Sequence, residues 1–126
     1  MEESFEESFR AALLASDAVT ALAGERIDFG ANPQDTACPR LVLWTIAETG
    51  GLLLSGPDGV SRGRVQVDCY AESYGAAKRL SRAVRAALDG YSGGGFQGVF
   101  HAGTRDSQDS EAPFRVSLDF ITVFTS

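Results

Sequence analysis

Residues 64–90 read RVQVDCYAESYGAAKRLSRAVRAALDG, and a change of hydrophobic period inside this stretch decides the fold class. From Arg62 to Ala71 apolar and polar residues alternate, with Val65, Val67 and Cys69 on one face and Arg64, Gln66, Asp68 and Tyr70 on the other. That pattern predicts a half-buried strand. Over residues 73–89 the period lengthens: Ala77, Leu80, Val84 and Leu88, widened by Ala83 and Ala87, form one apolar stripe, with Lys78, Arg79, Arg82 and Arg85 mostly opposite. This is an amphipathic helix, with Ser73 suited to cap its start and Gly90 to end it.

Working outward toward the N-terminus, Phe5, Phe9 and Leu13, with Ala12 beside them, mark a second helix laid on a core. Ser4 and Glu7 have the spacing of a capping box, and Asp17 suits the cap of a short following helix that Gly24 ends. Ile27 and Phe29 allow a short strand, after which Gly30, Asn32, Pro33 and Pro39 mark a loop. The run LVLWTI at 41–46 predicts a strand with Trp44 in the core. Residues 48–60 read as a long hairpin connection with SGPDG at its turn, although Leu52, Leu53 and Leu54 are unusually apolar for a solvated loop.

Toward the C-terminus, GYSGGG at 90–95 reads as a flexible connector. It is followed by a strand over 96–102 with Phe96 and Phe100 on one face, and then a polar, mobile loop at 103–112. Residues 114–124 alternate Phe114, Val116, Leu118 and Phe120 against Arg115, Ser117, Asp119 and Ile121, then turn apolar on both sides. The expectation is an α+β fold: one two-layer domain spanning 1–126, a mainly antiparallel sheet of four or five strands with two principal helices on one face.

Charge narrows the function classes. The formal net charge is −6, with ten acids and three bases in residues 1–61 against seven acids and eight bases in 62–126. A protein that grips nucleic acid through phosphates needs a concentrated basic footprint, so that class is disfavoured. Cys38 and Cys69 form no CxxC pair and are expected reduced, with Cys69 buried in its strand. No stretch approaches the ~20 apolar residues that span a bilayer, and Glu2, Glu3, Glu6 and Glu7 open the chain where a secretory signal carries bases. No membrane association is expected, and the chain is expected to stay in the compartment where it is made.

Motifs for chemistry are lacking. His101 is the one histidine and reads as structural, while Asp106, Asp109 and Glu111 lack the central glycine and closing glutamate of a calcium loop. The glycines of 90–95 follow a helix and precede a strand, the wrong order for a phosphate loop. No catalytic residue, cofactor or metal is therefore expected. An excess of apolar side chains, at Leu52–Leu54 and at Ile121, Val123 and Phe124, points instead to assembly with other chains. The stripe Lys78, Arg79, Arg82, Arg85 and the acids Glu3, Glu6 and Glu7 are candidate complementary patches of a head-to-tail subunit contact, with Leu52, Leu53 and Leu54 as further candidates.

Three stretches, ALLASDAVTALAGERI at 12–27, the segment at 64–90 and FRVSLDFITVF at 114–124, resemble the tail-completion or tail-terminator proteins of long-tailed phages and gene transfer agents. The resemblance runs from about Phe9 to Phe124 and carries no catalytic motif. It implies a structural protein at the head-proximal end of the tail, made in the host cytoplasm. Such a protein caps the tail tube as a ring, generally of six copies, and meets the tail tube protein and the head-side connector or adaptor. DNA is then expected to pass through the channel without specific binding, past acids of the N-terminal half or of a lumen or partner loop formed by Asp106, Asp109 and Glu111. Other small ring-forming head-completion or tail-tube proteins, and a cytosolic peptide-binding domain, are the alternatives.

Overall fold

The computed structural model describes residues 2–34, 36–49, 60–106 and 113–125. Three helices, α1 (Glu2–Leu14), α2 (Asp17–Ala23) and α3 (Tyr74–Leu88), accompany six strands: β1 (Ile27–Phe29), β2 (Arg40–Thr49), β3 (Val60–Ala71), β4 (Tyr91–Gly93), β5 (Phe96–Asp106) and β6 (Phe114–Thr125). The strands form one sheet in the order β1-β2-β3-β6-β5-β4, antiparallel throughout except for the parallel β1–β2 pair.

This architecture is α+β as expected, but larger than four or five strands and two helices. α2 and β1 stand where the sequence allowed a short helix and an extra strand. β4 arises inside GYSGGG, which pairs with β5 as a hairpin and is not a connector. The pairing is possible because Gly93, Gly94 and Gly95 all take positive φ. At Gly95 a Cβ would also lie 2.6 Å from the Phe124 ring, so only glycine fits there.

One face of the sheet is covered by the helices. Phe9, Leu13, Val19, Leu80, Val84 and Leu88 pack on Leu41, Leu43, Val65, Val67, Leu118 and Phe120, all almost completely buried. An aromatic cluster fastens α1 across the sheet: Phe9 meets Phe29 and Phe96, Phe5 meets Phe96 and Phe124, and centroid separations run from 5.3 to 6.3 Å. Cys69 is buried as expected, and burial pushes its thiol well above the ordinary range, so it stays protonated and inert.

The caps correct two details. Ser73 caps α3 as expected, accepting from the Ala76 amide at 3.1 Å. α2, however, is capped by Ser16, which accepts from Val19, and Asp17 is the first helical residue. α1 begins at Glu2, which places Ser4 inside the helix and removes the Ser4–Glu7 box.

Among the described residues one completely buried inner-face position is polar. Thr122 is fully buried, and its hydroxyl has no hydrogen-bond partner among the described residues. Replacing it by valine removes the unsatisfied group while keeping the branched shape, so Thr122→Val is expected to raise stability by about 1–2 kcal/mol. An unchanged or lowered urea midpoint, at unchanged m, would contradict this.

Candidate functional site

The face turned away from the helices has no covering element among the described residues, and pairing register fixes what it displays. Successive cross-strand rows read Arg115–Tyr70–Arg40, then Arg105–Ser117–Asp68–Val42, then Gly103–Asp119–Gln66–Trp44, then Phe100–Ile121–Arg64, and finally Gly98–Val123–Arg62. Side chains alternate along a strand, so each row lies on one face.

At the centre of this face a carboxylate is held under the surface. Asp68 is 3% exposed and accepts three hydrogen bonds: from Trp44 Nε1 at 2.9 Å, Gln66 Nε2 at 2.8 Å and Ser117 Oγ at 2.6 Å. Arg105 extends the network, donating to Gln66 Oε1 at 3.2 Å and to Asp119 Oδ2 at 2.6 Å. Polar groups of β2, β3, β5 and β6 are thus tied into one chain. Its partners are satisfied by one another, which makes the surface rigid rather than reactive.

Around this network lie apolar side chains in water. Trp44 is 40% exposed, Ile121 40% and Phe100 49%, and Ile46 is exposed at the β2 bulge beside Trp44. Two of these placements correct the sequence expectations. Trp44 is not in the core: Leu41 and Leu43 point inward, so the alternating residue points out, and its indole N–H is satisfied by Asp68. Phe96 and Phe100 are on opposite faces, because a register shift between Phe96 and Gly98 reverses the alternation, and the Phe100 ring then lies over Gly98.

Two clefts border the β1–β2 edge. One, of about 460 Å³, opens on the outer face between Gly30–Pro33 and Arg40, Trp44 and Tyr70, with the Arg40 guanidinium 4.3 Å from the Tyr70 ring centroid. The other, of about 490 Å³, lies on the α1 side and is lined by Glu6, Glu7 and Asp28 around Arg10. Arg10 is spent on backbone carbonyls, donating to Ile27 at 2.5 Å and to Glu25 at 3.4 Å.

The residues singled out from sequence are distributed differently from expectation. Lys78 is paired within the chain, 3.3 Å from Asp106, which also accepts from the Tyr74 hydroxyl at 2.5 Å. That hydrogen bond raises the Tyr74 pKa and, with Lys78, lowers that of Asp106. Asp106 therefore ends β5 and braces α3, and is not part of a free loop. Arg85 lies 3.9 Å from Asp89, whereas Arg79 and Arg82 are exposed and in no ion pair among the described residues.

Glu6 accepts from Thr45 at 3.3 Å, Glu7 is exposed, and neither reaches the α3 stripe. Glu3 lies on α1 with its side chain outside the described residues, as are Leu52, Leu53, Leu54, Asp109 and Glu111. His101 pairs with Thr104 at 2.7 Å and packs on Phe120, a structural setting. Among the described residues no three His, Cys, Asp or Glu side chains gather as a metal site, and no helix is long and apolar enough to cross a membrane.

What sequence reasoning missed is the outer face as a unit. The alternation of β3 and β6 put Arg64, Gln66, Asp68, Arg115 and Asp119 on their solvent sides, but only the register brings Arg40, Trp44, Phe100 and Arg105 beside them.

Comparison with known proteins follows the same architecture. A chain of a solved structure titled "Virion of native gene transfer agent (GTA) particle" superposes with a TM-score of 0.76 at 18% identity, covering 96% of this chain and 94% of that one. At that identity the likeness shows a shared fold. A search of curated proteins finds no match. The family model described as "Tail completion protein gp17" matches residues 7–125, and the chain accordingly belongs to this family, as a structural protein that completes a phage-like tail and joins it to the head.

Proposed function

We propose that several copies of this chain close into a ring, of six in the simplest case, on the head-proximal end of the tail tube. One rim meets the tail tube protein and the other the head-side connector, with DNA passing through the channel without specific binding. The whole of residues 1–126 acts as a single structural unit. The observation that carries the reading is the asymmetry of the sheet: one face is sealed by helices, the other leaves large apolar and charged side chains uncovered. A monomer at work alone has little use for such a face, whereas a subunit has neighbours to cover it.

Within this arrangement Arg79 and Arg82 remain basic groups available to a rim partner, while Lys78 and Arg85 are neutralised inside the chain. Asp109 and Glu111 are assigned to the channel side or to a partner, where acidic character keeps a polyanion from sticking, while Asp106 is spent on Lys78 and Tyr74.

The test is genetic and morphological. Particles produced without this chain should accumulate filled heads and separate tails under the electron microscope, and adding purified protein to the mixture should restore joining. Normal numbers of joined particles in its absence would rule the function out.

A further inference from the structure

Resting on that ring reading, we propose which surfaces meet: the open sheet face of one copy receives the acidic α1 flank of a second copy, head to tail. The sheet face is basic as well as apolar. Arg40, Arg62, Arg64, Arg105 and Arg115 occupy its rows, against Asp68 and Asp119. Both carboxylates are already engaged, Asp68 by Trp44, Gln66 and Ser117 and Asp119 by Arg105. Arg62, Arg64 and Arg115 are in no ion pair among the described residues and present uncompensated charge.

The opposite sign lies on the α1 side of the sheet. Glu6 and Glu7 line the cleft there, joined by Asp28 from the β1 edge, and Arg10 is occupied by the carbonyls of Ile27 and Glu25. An isologous dimer through either surface would oppose like charges. Joining the two different surfaces is heterologous and, repeated, generates a ring when the rotation closes. The apolar side chains Trp44, Phe100 and Ile121 supply the area to be buried, and the charges supply orientation and register.

Aromatic and arginine side chains on a sheet also suit single-stranded nucleic acid, but the formal charge of −6 on the whole chain opposes a polyanion.

Trp44 is the one tryptophan of the chain and stands on the proposed contact, so its emission reads docking directly. The experiment compares wild type, Arg62→Glu/Arg64→Glu and Glu6→Lys/Glu7→Lys by sedimentation equilibrium and Trp44 fluorescence, with circular dichroism to show that each is folded. Wild type should self-associate with a blue shift of Trp44, more weakly at high salt. Each double variant alone should associate at least tenfold more weakly, and an equimolar mixture should recover association, since every contact around an alternating ring again joins opposite signs.

A wild type that stays monomeric with unshifted Trp44, variants that associate like wild type, or a mixture without recovery would each overturn the proposal. So would Trp44 quenching by an oligonucleotide that competes with self-association. Head–tail joining in particles lacking the chain is scored separately, so failure of the docking geometry and failure of the ring function give different results.

Discussion

Phe9→Ala is expected to cost about 3–5 kcal/mol, among the largest losses open to a single side-chain truncation in this protein. Phe9 is completely buried on α1, and its ring stands 5.9 Å from Phe96, 6.3 Å from Phe29 and 6.5 Å from Phe5. These partners belong to α1 itself, to β1 at one edge of the sheet and to β5 near the other, so the vacated space cannot be refilled by moving one element. Against a total stability of order 5–15 kcal/mol, such a change removes a large fraction. Urea unfolding should show a lower midpoint with m unchanged, and a loss below about 1 kcal/mol would mean that the cluster collapses around the cavity.

The second large effect is expected on the open face. Asp68→Ala should cost about 2–4 kcal/mol, because it strands three donors at once and hydrogen bonds to a charged group are the strong ones. Ser117 is buried and has no ready access to replacement water, whereas Trp44 and Gln66 reach solvent and recover part of the loss. The double change Asp68→Ala/Ser117→Ala should therefore cost less than the two single losses added together, a coupling measurable in a double-mutant cycle. Trp44 emission should shift in Asp68→Ala even where the protein remains folded. Additive losses, or a single-variant cost under about 0.5 kcal/mol, would show that the network is not cooperative.

The parts of this fold legible in sequence are those governed by short-range periodicity. The alternation of β3, the stripe of α3, the Ser73 cap and the buried Cys69 needed no knowledge of neighbours. What escaped was set by pairing over long distances. The position of Trp44 depends on which side of β2 the helices cover, and its partner Asp68 is 24 residues away. Phe100 turns outward because of a single irregularity before Gly98, a feature without a residue pattern of its own. Lys78 reads as free basic charge until β5 brings Asp106 to it across 28 residues. The resemblance to tail-completion proteins located the family, yet the surface able to carry assembly emerged only when four strands were laid side by side.

β6 bridges two otherwise separate pieces of sheet: β1-β2-β3 on one side and β5-β4 on the other touch through it, in continuous register from Val60–Thr125 to Ala71–Phe114 on the β3 side. In the order of synthesis this strand comes after all the others. A nascent chain can form the two pieces locally, but each presents a bare strand edge until residues 114–125 arrive, and closing that gap is the pairing of greatest sequence separation in the sheet. Arg115, Asp119 and Ile121 arrive with the same strand. The open face therefore comes into existence only on a chain translated past this strand, and on the proposed docking an incomplete subunit offers its neighbour no complete contact surface.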